Sequence, residues 1–168
     1  MLDEKAVKAH YEKLAARVTN WLVANGASYA SACDIVQETF IRLWENRKKV
    51  AEDDAVSGFV FITARHLYID ELRRNKKEVL KDTLDENEGG AFVPDETRSD
   101  AEYLRKRLCA ALDTLPDDMR QAYTLFQTGG CSIREIAAMT KASESAVKVR
   151  IFRAKEKLRV VLADLKDY

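Results

Sequence analysis

Residues 132–159 limit the possible folds more than any other part of this 168-residue chain. The sequence Ser-Ile-Arg-Glu at 132–135 has the pattern of a capping box, in which the serine caps the helix and the glutamate reaches back to it. We expect a short helix to Met139, a turn at 140–142 and a longer helix capped by Ser143. Two helices joined by such a turn predict a helix-turn-helix.

The rest of the chain also shows a helical period. Apolar residues recur at steps of three and four, which is the spacing of one buried helix stripe. The pattern predicts five further helices, at about 7–24, 31–47, 56–77, 100–113 and 116–127. Asn25-Gly26 and Gly129-Gly130 are expected to end two of them. Since nothing alternates with the period of a strand, the predicted fold class is all-α, with two small helical domains.

An acidic stretch divides the two predicted domains. Residues 81–102 hold two basic and eight acidic residues, a net charge of −6, and include Gly89-Gly90 and Pro94. Residues 103–168 hold thirteen basic and eight acidic residues, a net charge of +5. This composition is typical of a flexible linker. We therefore predict a domain at 1–79, a linker at 80–101 that holds the modules apart, and a second domain at 102–168.

Composition also argues against several classes of protein. No apolar run reaches the roughly 18 residues of a membrane helix, and the first ten residues lack the apolar core of a signal peptide, so a cytoplasmic location is expected. The three cysteines, Cys33, Cys109 and Cys131, are widely spaced. They predict neither a disulfide framework nor a zinc ribbon, and no cofactor or metal is expected. No nucleophile and base are grouped as in an enzyme.

The second helix of the helix-turn-helix carries the first candidate DNA surface. Its apolar stripe is expected to leave five other positions facing outward, where they could touch bases and phosphates in a major groove. These positions are Ser145, Lys148, Val149, Phe152 and Arg153. The alternative is a basic, solvent-exposed helix in a bundle, since a run of charges is often only an exposed face.

The third predicted helix carries a second candidate surface that mixes cations with rings. Such mixtures bind single-stranded DNA, because bases stack on rings while cations follow the backbone. The residues are Arg65, His66, Tyr68, Arg73 and Arg74. The alternative is structural: Tyr68 packs, and the arginines pair with Asp70 and Glu71.

Three segments together resemble one protein family. Residues 34–44, Asp-Ile-Val-Gln-Glu-Thr-Phe-Ile-Arg-Leu-Trp, are similar to the polymerase-binding helix of the extracytoplasmic-function sigma factors of bacterial RNA polymerase. Residues 64–74 resemble the promoter-melting helix of that family, and residues 115–120, 132–137 and 146–159 resemble its second conserved domain. Three positions depart from the family's usual residues: Phe59 replaces a tryptophan, His66 an asparagine and Ser145-Ala146 a Gly-Thr pair. These differences affect the expected promoter sequence more than the expected function.

The resemblance implies a role for each surface. The helix at 34–44 would dock on the polymerase through Asp34, Gln37, Glu38, Arg42, Leu43 and Trp44. The third helix, with a loop at 51–57, would bind and open the minus-10 element, and the recognition helix would read the minus-35 element as duplex. Core RNA polymerase, promoter DNA and an anti-sigma factor are the implied partners. The alternatives are a sigma-like mimic that sequesters an anti-sigma factor, and a stand-alone transcriptional regulator.

Overall fold

A computed structural model describes residues 1–50, 53–85 and 100–165. Within these ranges the regular secondary structure is entirely helical, which confirms the all-α prediction. The elements are α1 (Glu4–Ala24), α2 (Tyr29–Glu45), α3 (Asp53–Asp85), α4 (Asp100–Asp113), α5 (Asp117–Gln127), α6 (Ile133–Thr140), α7 (Glu144–Val161) and a 3-10 turn at Ala163–Leu165. No helix in the described ranges is long and apolar enough to cross a membrane.

Side-chain caps fix where four of the helices begin. Asp3, Ser28, Ser132 and Ser143 each accept a hydrogen bond from the backbone amide three residues on, at 2.7–3.1 Å. Each bond satisfies an amide that has no partner within the helix, and such a cap contributes about 1 kcal/mol. Ser132 and Ser143 thus confirm the two starts predicted for the helix-turn-helix.

The structure corrects the predicted course of the chain before and within α3. A loop was expected at 51–57, but residues 53–57 form the first turn of α3, and 51–52 lie outside the described residues. At its other end α3 continues to Asp85, through the first residues of the predicted linker. Residues 86–99 lie outside the described residues.

The first three helices pack around a common apolar centre. Leu14, Val18 and Leu22 of α1, with Leu43 of α2 and Val60 of α3, are at most 1% exposed. A smaller cluster joins the end of α4 to the second half of α7, through Ala111, Leu112, Leu115, Ala154 and Leu158.

The main core also runs through the C-terminal helices. Ala122 and Leu125 of α5, Ile136 of α6 and Val147 of α7 belong to the same buried cluster as the residues of α1–α3. The prediction that the modules are held apart is therefore wrong for this structure, in which the two halves share one core. Periodicity indicates that a helix face is covered, but not which element covers it.

Candidate nucleic-acid interface

The turn of the helix-turn-helix depends on one unusual backbone conformation. Lys141 follows α6 with φ 53° and ψ 41°, the left-handed conformation that commonly ends a helix. The amide of Ala142 then bonds to the carbonyl of Ala137 at 3.0 Å. The chain reverses within three residues, so α7 begins directly beside α6.

α7 buries one stripe and exposes another. Val147, Ile151, Ala154 and Leu158 are buried at steps of three and four. All five residues predicted to read DNA from this helix are exposed, namely Ser145, Lys148, Val149, Phe152 and Arg153. Phe152 is 64% exposed and Val149 is 45% exposed, so this face carries apolar as well as basic side chains. The structure therefore brings this predicted set together on one accessible face.

Two neighbouring cations on α7 already have partners within the protein. Arg150 lies 3.4 Å from the carboxylate of Asp118, and the ammonium of Lys155 lies 5.6 Å from the ring centre of Phe126. Both contacts join α7 to α5 and so fix the orientation of α7. The outer cations Lys148 and Arg153 carry the positive charge of the exposed face.

The second predicted set, on α3, is divided between two faces. Residues 66 and 73 are seven positions apart and share one side of a helix, whereas 65 and 68 lie on another side. His66, Arg73 and Arg74 are exposed, while Arg65 and Tyr68 are partly covered. The set does not form one continuous surface in this conformation.

Arg65 and Tyr68 are turned toward the C-terminal half. Arg65 pairs with Asp117 of α5 at 3.5 Å rather than with the neighbouring acids of its own helix. The Tyr68 hydroxyl donates a hydrogen bond to the carbonyl of Asn25 at 3.1 Å. Burial is the main cause that raises the pKa of Tyr68 above its usual value, with Glu71 adding to the shift. Both side chains line a cleft of about 340 Å³ between α1, α3 and α5.

The predicted docking residues of α2 form a polar ridge beside an exposed indole. Asp34, Gln37, Arg42 and Trp44 are exposed, and Glu38 is half-buried. Arg42 and Glu38 form an ion pair at 3.1 Å, one turn apart. An exposed tryptophan flanked by charges has the composition of a protein-binding hot spot.

Leu43 was predicted to be a docking residue, and its burial shows that this prediction is wrong. Its side chain is 0% exposed in the core of α1–α3, so it cannot contact a partner directly. Leu43 follows Val36 and Phe40 at helical spacing, so it lies on the same buried stripe of α2.

Sequence reasoning missed two residues of this surface. Ile41 is 53% exposed on the outer side of α2. The Arg47 guanidinium lies 4.0 Å above the ring of Trp44 and donates to the Trp44 carbonyl at 2.8 Å. This cation–π contact holds the indole in one orientation. The spacing of three residues between Trp44 and Arg47 at the end of α2 could have indicated the contact.

Two family models cover most of the chain. Residues 8–78 match the model described as sigma-70 region 2, and residues 105–158 match the one described as sigma-70, region 4. The first match spans most of α1, all of α2 and most of α3, and the second spans most of α4, all of α5 and α6 and most of α7.

Curated relatives agree with these models. The chain is 34% identical over 139 residues to the ferric citrate uptake sigma factor FecI of Escherichia coli, covering 82% of this chain and 79% of that one. It is 28% identical over 130 residues to the ECF RNA polymerase sigma factor SigM of Bacillus subtilis, covering 76% and 77%.

Two solved structures share the fold. One is the sigma factor RpoE of Bartonella quintana in complex with the anti-sigma factor NepR (TM-score 0.68, 22% identity, 95% of this chain and 98% of that one). The other is CnrH in complex with the cytosolic domain of CnrY (TM-score 0.69, 20% identity, 96% and 90%). These two likenesses show the fold, and the sequence matches show the family: the chain belongs to the extracytoplasmic-function sigma factors, the sigma-70-type proteins that give bacterial RNA polymerase its promoter recognition.

Proposed function

We propose that the three surfaces divide promoter recognition among them: α2 binds core RNA polymerase, α3 holds the opened minus-10 element, and α7 reads the minus-35 duplex. The observation that carries this proposal is the exposed face of α7, where Lys148 and Arg153 flank the exposed Val149 and Phe152. Domains at 1–79 and 102–168 would carry the two DNA contacts.

The minus-35 contact would combine two kinds of recognition. Arg153 can make a bidentate pair of hydrogen bonds to a guanine edge, and apolar side chains such as Val149 and Phe152 can contact a thymine methyl. Lys148 can bind a phosphate, which positions the helix without selecting a sequence.

The minus-10 contact would use α3. His66, Arg73 and Arg74 are accessible as they stand, and Arg65 and Tyr68 would join them once α5 moves away. A ring and several cations suit unstacked bases and their backbone. The strand opens because the protein binds its separated form more tightly, so the chain acts by binding and not by catalysis.

The polymerase contact would centre on Trp44. Arg42 and Asp34 lie on the same exposed side of α2, and Ile41 adds apolar area to it. Core RNA polymerase and promoter DNA are the proposed partners, in the cytoplasm, and an anti-sigma factor is proposed by analogy with the complexes of RpoE and CnrH.

Transcription with purified core polymerase on genomic fragments, with start sites mapped, tests this proposal. We expect this protein to produce transcripts from a limited set of sites that core enzyme alone does not use. A sigma-like mimic would bind an anti-sigma factor and yield no new start sites, and that result would overturn the proposal.

A further inference from the structure

The turn after α2, residues 46–50, follows directly on the helix end that carries Trp44. Asn46 ends the helix, and its side-chain amide donates to the carbonyl of Arg42 at 2.8 Å. The backbone amide of Val50 then donates to the carbonyl of Asn46 at 3.2 Å. These bonds hold residues 46–50 in one compact turn beside the exposed indole.

Leu2 is fastened to this turn. Its amide donates to the carbonyl of Arg47 at 3.2 Å. Its side chain is 6% exposed and belongs to the same buried cluster as Val50, which is 8% exposed. Residues near a chain terminus are usually poorly ordered unless contacts tie them down. Since the next residue, Asp3, caps α1, Leu2 joins the start of α1 to the turn that follows α2.

Arg47 is held through both its backbone and its side chain. Its carbonyl accepts the hydrogen bond from Leu2. Its guanidinium donates to the Trp44 carbonyl at 2.8 Å and lies 4.0 Å from the centre of the Trp44 ring. A cation–π contact needs a separation below about 6 Å, so a shift of the turn by about 2 Å would weaken it. The position of Arg47 therefore depends on Leu2, and the orientation of Trp44 depends on Arg47.

A fixed orientation matters for an exposed side chain that binds a partner. Trp44 is 39% exposed, so little else in the protein restricts its indole. A side chain that moves among rotamers loses that freedom when it binds, and this loss weakens the complex. A side chain already held in one orientation loses less, so the same contact binds more tightly.

We infer that Leu2 is a positioning residue for the polymerase contact. It holds the turn at 46–50 so that Arg47 keeps Trp44 in one orientation before polymerase binds. Because Leu2 is buried, it acts through Arg47 and not by touching polymerase. This inference rests on the proposed function, since it takes Trp44 to be the centre of the polymerase contact.

Trp44 can report its own environment. The chain has two tryptophans, so Trp21→Phe in the full chain leaves Trp44 as the only one. In that background, acrylamide quenching measures the accessibility of the indole, and fluorescence anisotropy measures its motion on the nanosecond timescale. Affinity for purified core polymerase and the melting temperature are measured on the same proteins.

Leu2→Gln keeps the backbone amide and the side-chain length but removes the apolar group from the core. We expect stronger quenching, lower anisotropy and an affinity for polymerase reduced about three- to tenfold, the cost of ordering one free side chain. Arg47→Ala removes the cation directly and should have at least the same effect. The double variant should bind no more weakly than Arg47→Ala alone, because two residues that act through one contact are not additive.

Two further variants show whether the effect is specific to the anchor. Leu2→Met keeps an apolar side chain of similar size and should keep the quenching and affinity of the parent protein. Leu22→Val is the matched core control, since Leu22 is 0% exposed in the same cluster. It lies about 27 Å along α1 from Glu4, near the other end of the helix. It should lower the melting temperature and leave quenching and affinity unchanged.

Two results would overturn the inference: a Leu2→Gln variant in which only the melting temperature falls, or losses in Leu2→Gln and Arg47→Ala that add. If Leu2→Gln does not fold, unchanged quenching and affinity in Arg47→Ala overturn it instead. Trp44→Ala separates this outcome from the proposed function. Unchanged polymerase binding by Trp44→Ala would refute the docking role of α2, whereas weaker binding by Trp44→Ala beside normal binding by Leu2→Gln would refute the inference alone.

Discussion

Phe152 and Arg153 are neighbours on the exposed face of α7, yet they would read DNA by different physical means. A guanidinium can pair with two acceptors on one guanine, so its loss weakens discrimination at a single base pair. A phenyl ring makes no hydrogen bond and can select only by contact with a methyl group. The two residues therefore predict different signatures in the same assay.

Arg153→Ala should weaken binding of the polymerase complex and relax discrimination at one minus-35 position by about 1–3 kcal/mol. Binding to a panel of single-base promoter variants measures this. Lys157→Ala is the control on the same helix and should weaken binding about equally on every sequence. If Arg153→Ala lowered the binding affinity equally on all sequences, Arg153 would contact a phosphate and not a base.

Phe152→Ala should remove sensitivity to a thymine methyl. Wild-type protein should bind more weakly when thymines of the minus-35 element are replaced by deoxyuridine, and the variant should bind both promoters alike. Competition binding with the polymerase complex measures the difference. Equal sensitivity in wild type and variant would show that Phe152 contacts no methyl group.

α2 separates an exposed side, which is proposed to dock on polymerase, from a side that is buried in the core. Trp44, held under Arg47, faces outward, and Leu43, one residue earlier, is fully buried. Because the two positions are about 100° apart around the helix, substitutions at them should fail in different ways.

Trp44→Ala should lower affinity for core polymerase at least about thirtyfold, as for a hot-spot residue, with little change in thermal stability. Leu43→Ala should instead destabilise the protein by about 2–5 kcal/mol, because it leaves a cavity in the core. Co-purification with core enzyme and thermal unfolding distinguish the two. Normal co-purification of Trp44→Ala would show that the docking face lies elsewhere.

The turn before α7 holds one residue in a strained backbone conformation. Lys141 occupies the left-handed conformation, which costs a residue with a side chain about 1–2 kcal/mol. Lys141→Gly should therefore raise the melting temperature by about 2–4 °C, whereas Lys157→Gly, inside α7, should lower it. A lower melting temperature for Lys141→Gly would contradict the conformation described for this turn.

Sequence patterns located most helices but were less informative about their ends and partners. The bounds of α4 and the caps of α6 and α7 depend on residues close together in the sequence, so they could be predicted from it. The 33-residue α3 was predicted too short, because the acidic, less hydrophobic composition after Lys77 was assigned to the linker, although residues such as Glu78, Leu80 and Lys81 are good helix formers. The exposed residues of α7 could be predicted because its buried stripe is visible in the sequence. The burial of Arg65 and Tyr68 could not be predicted, because it depends on contacts with residues distant in sequence.

Across the whole molecule, the net charge of zero includes a basic α7 and an acidic segment at residues 81–102. The two halves share a core in this structure, yet their proposed targets are two separate stretches of one promoter. Under this proposed division of targets, promoter recognition requires both halves to act in a fixed geometry once polymerase holds them. That requirement depends on DNA spacing and not on any single residue.

Inserting five base pairs between the two elements of a mapped promoter tests whether both halves act in one geometry, because it turns one element by about half a helical turn relative to the other. With core polymerase and this protein, we predict a transcript from the native spacing and at least a tenfold loss from the lengthened promoter. Equal transcription from both promoters would contradict the account, since the two halves would then not be reading two elements in one complex.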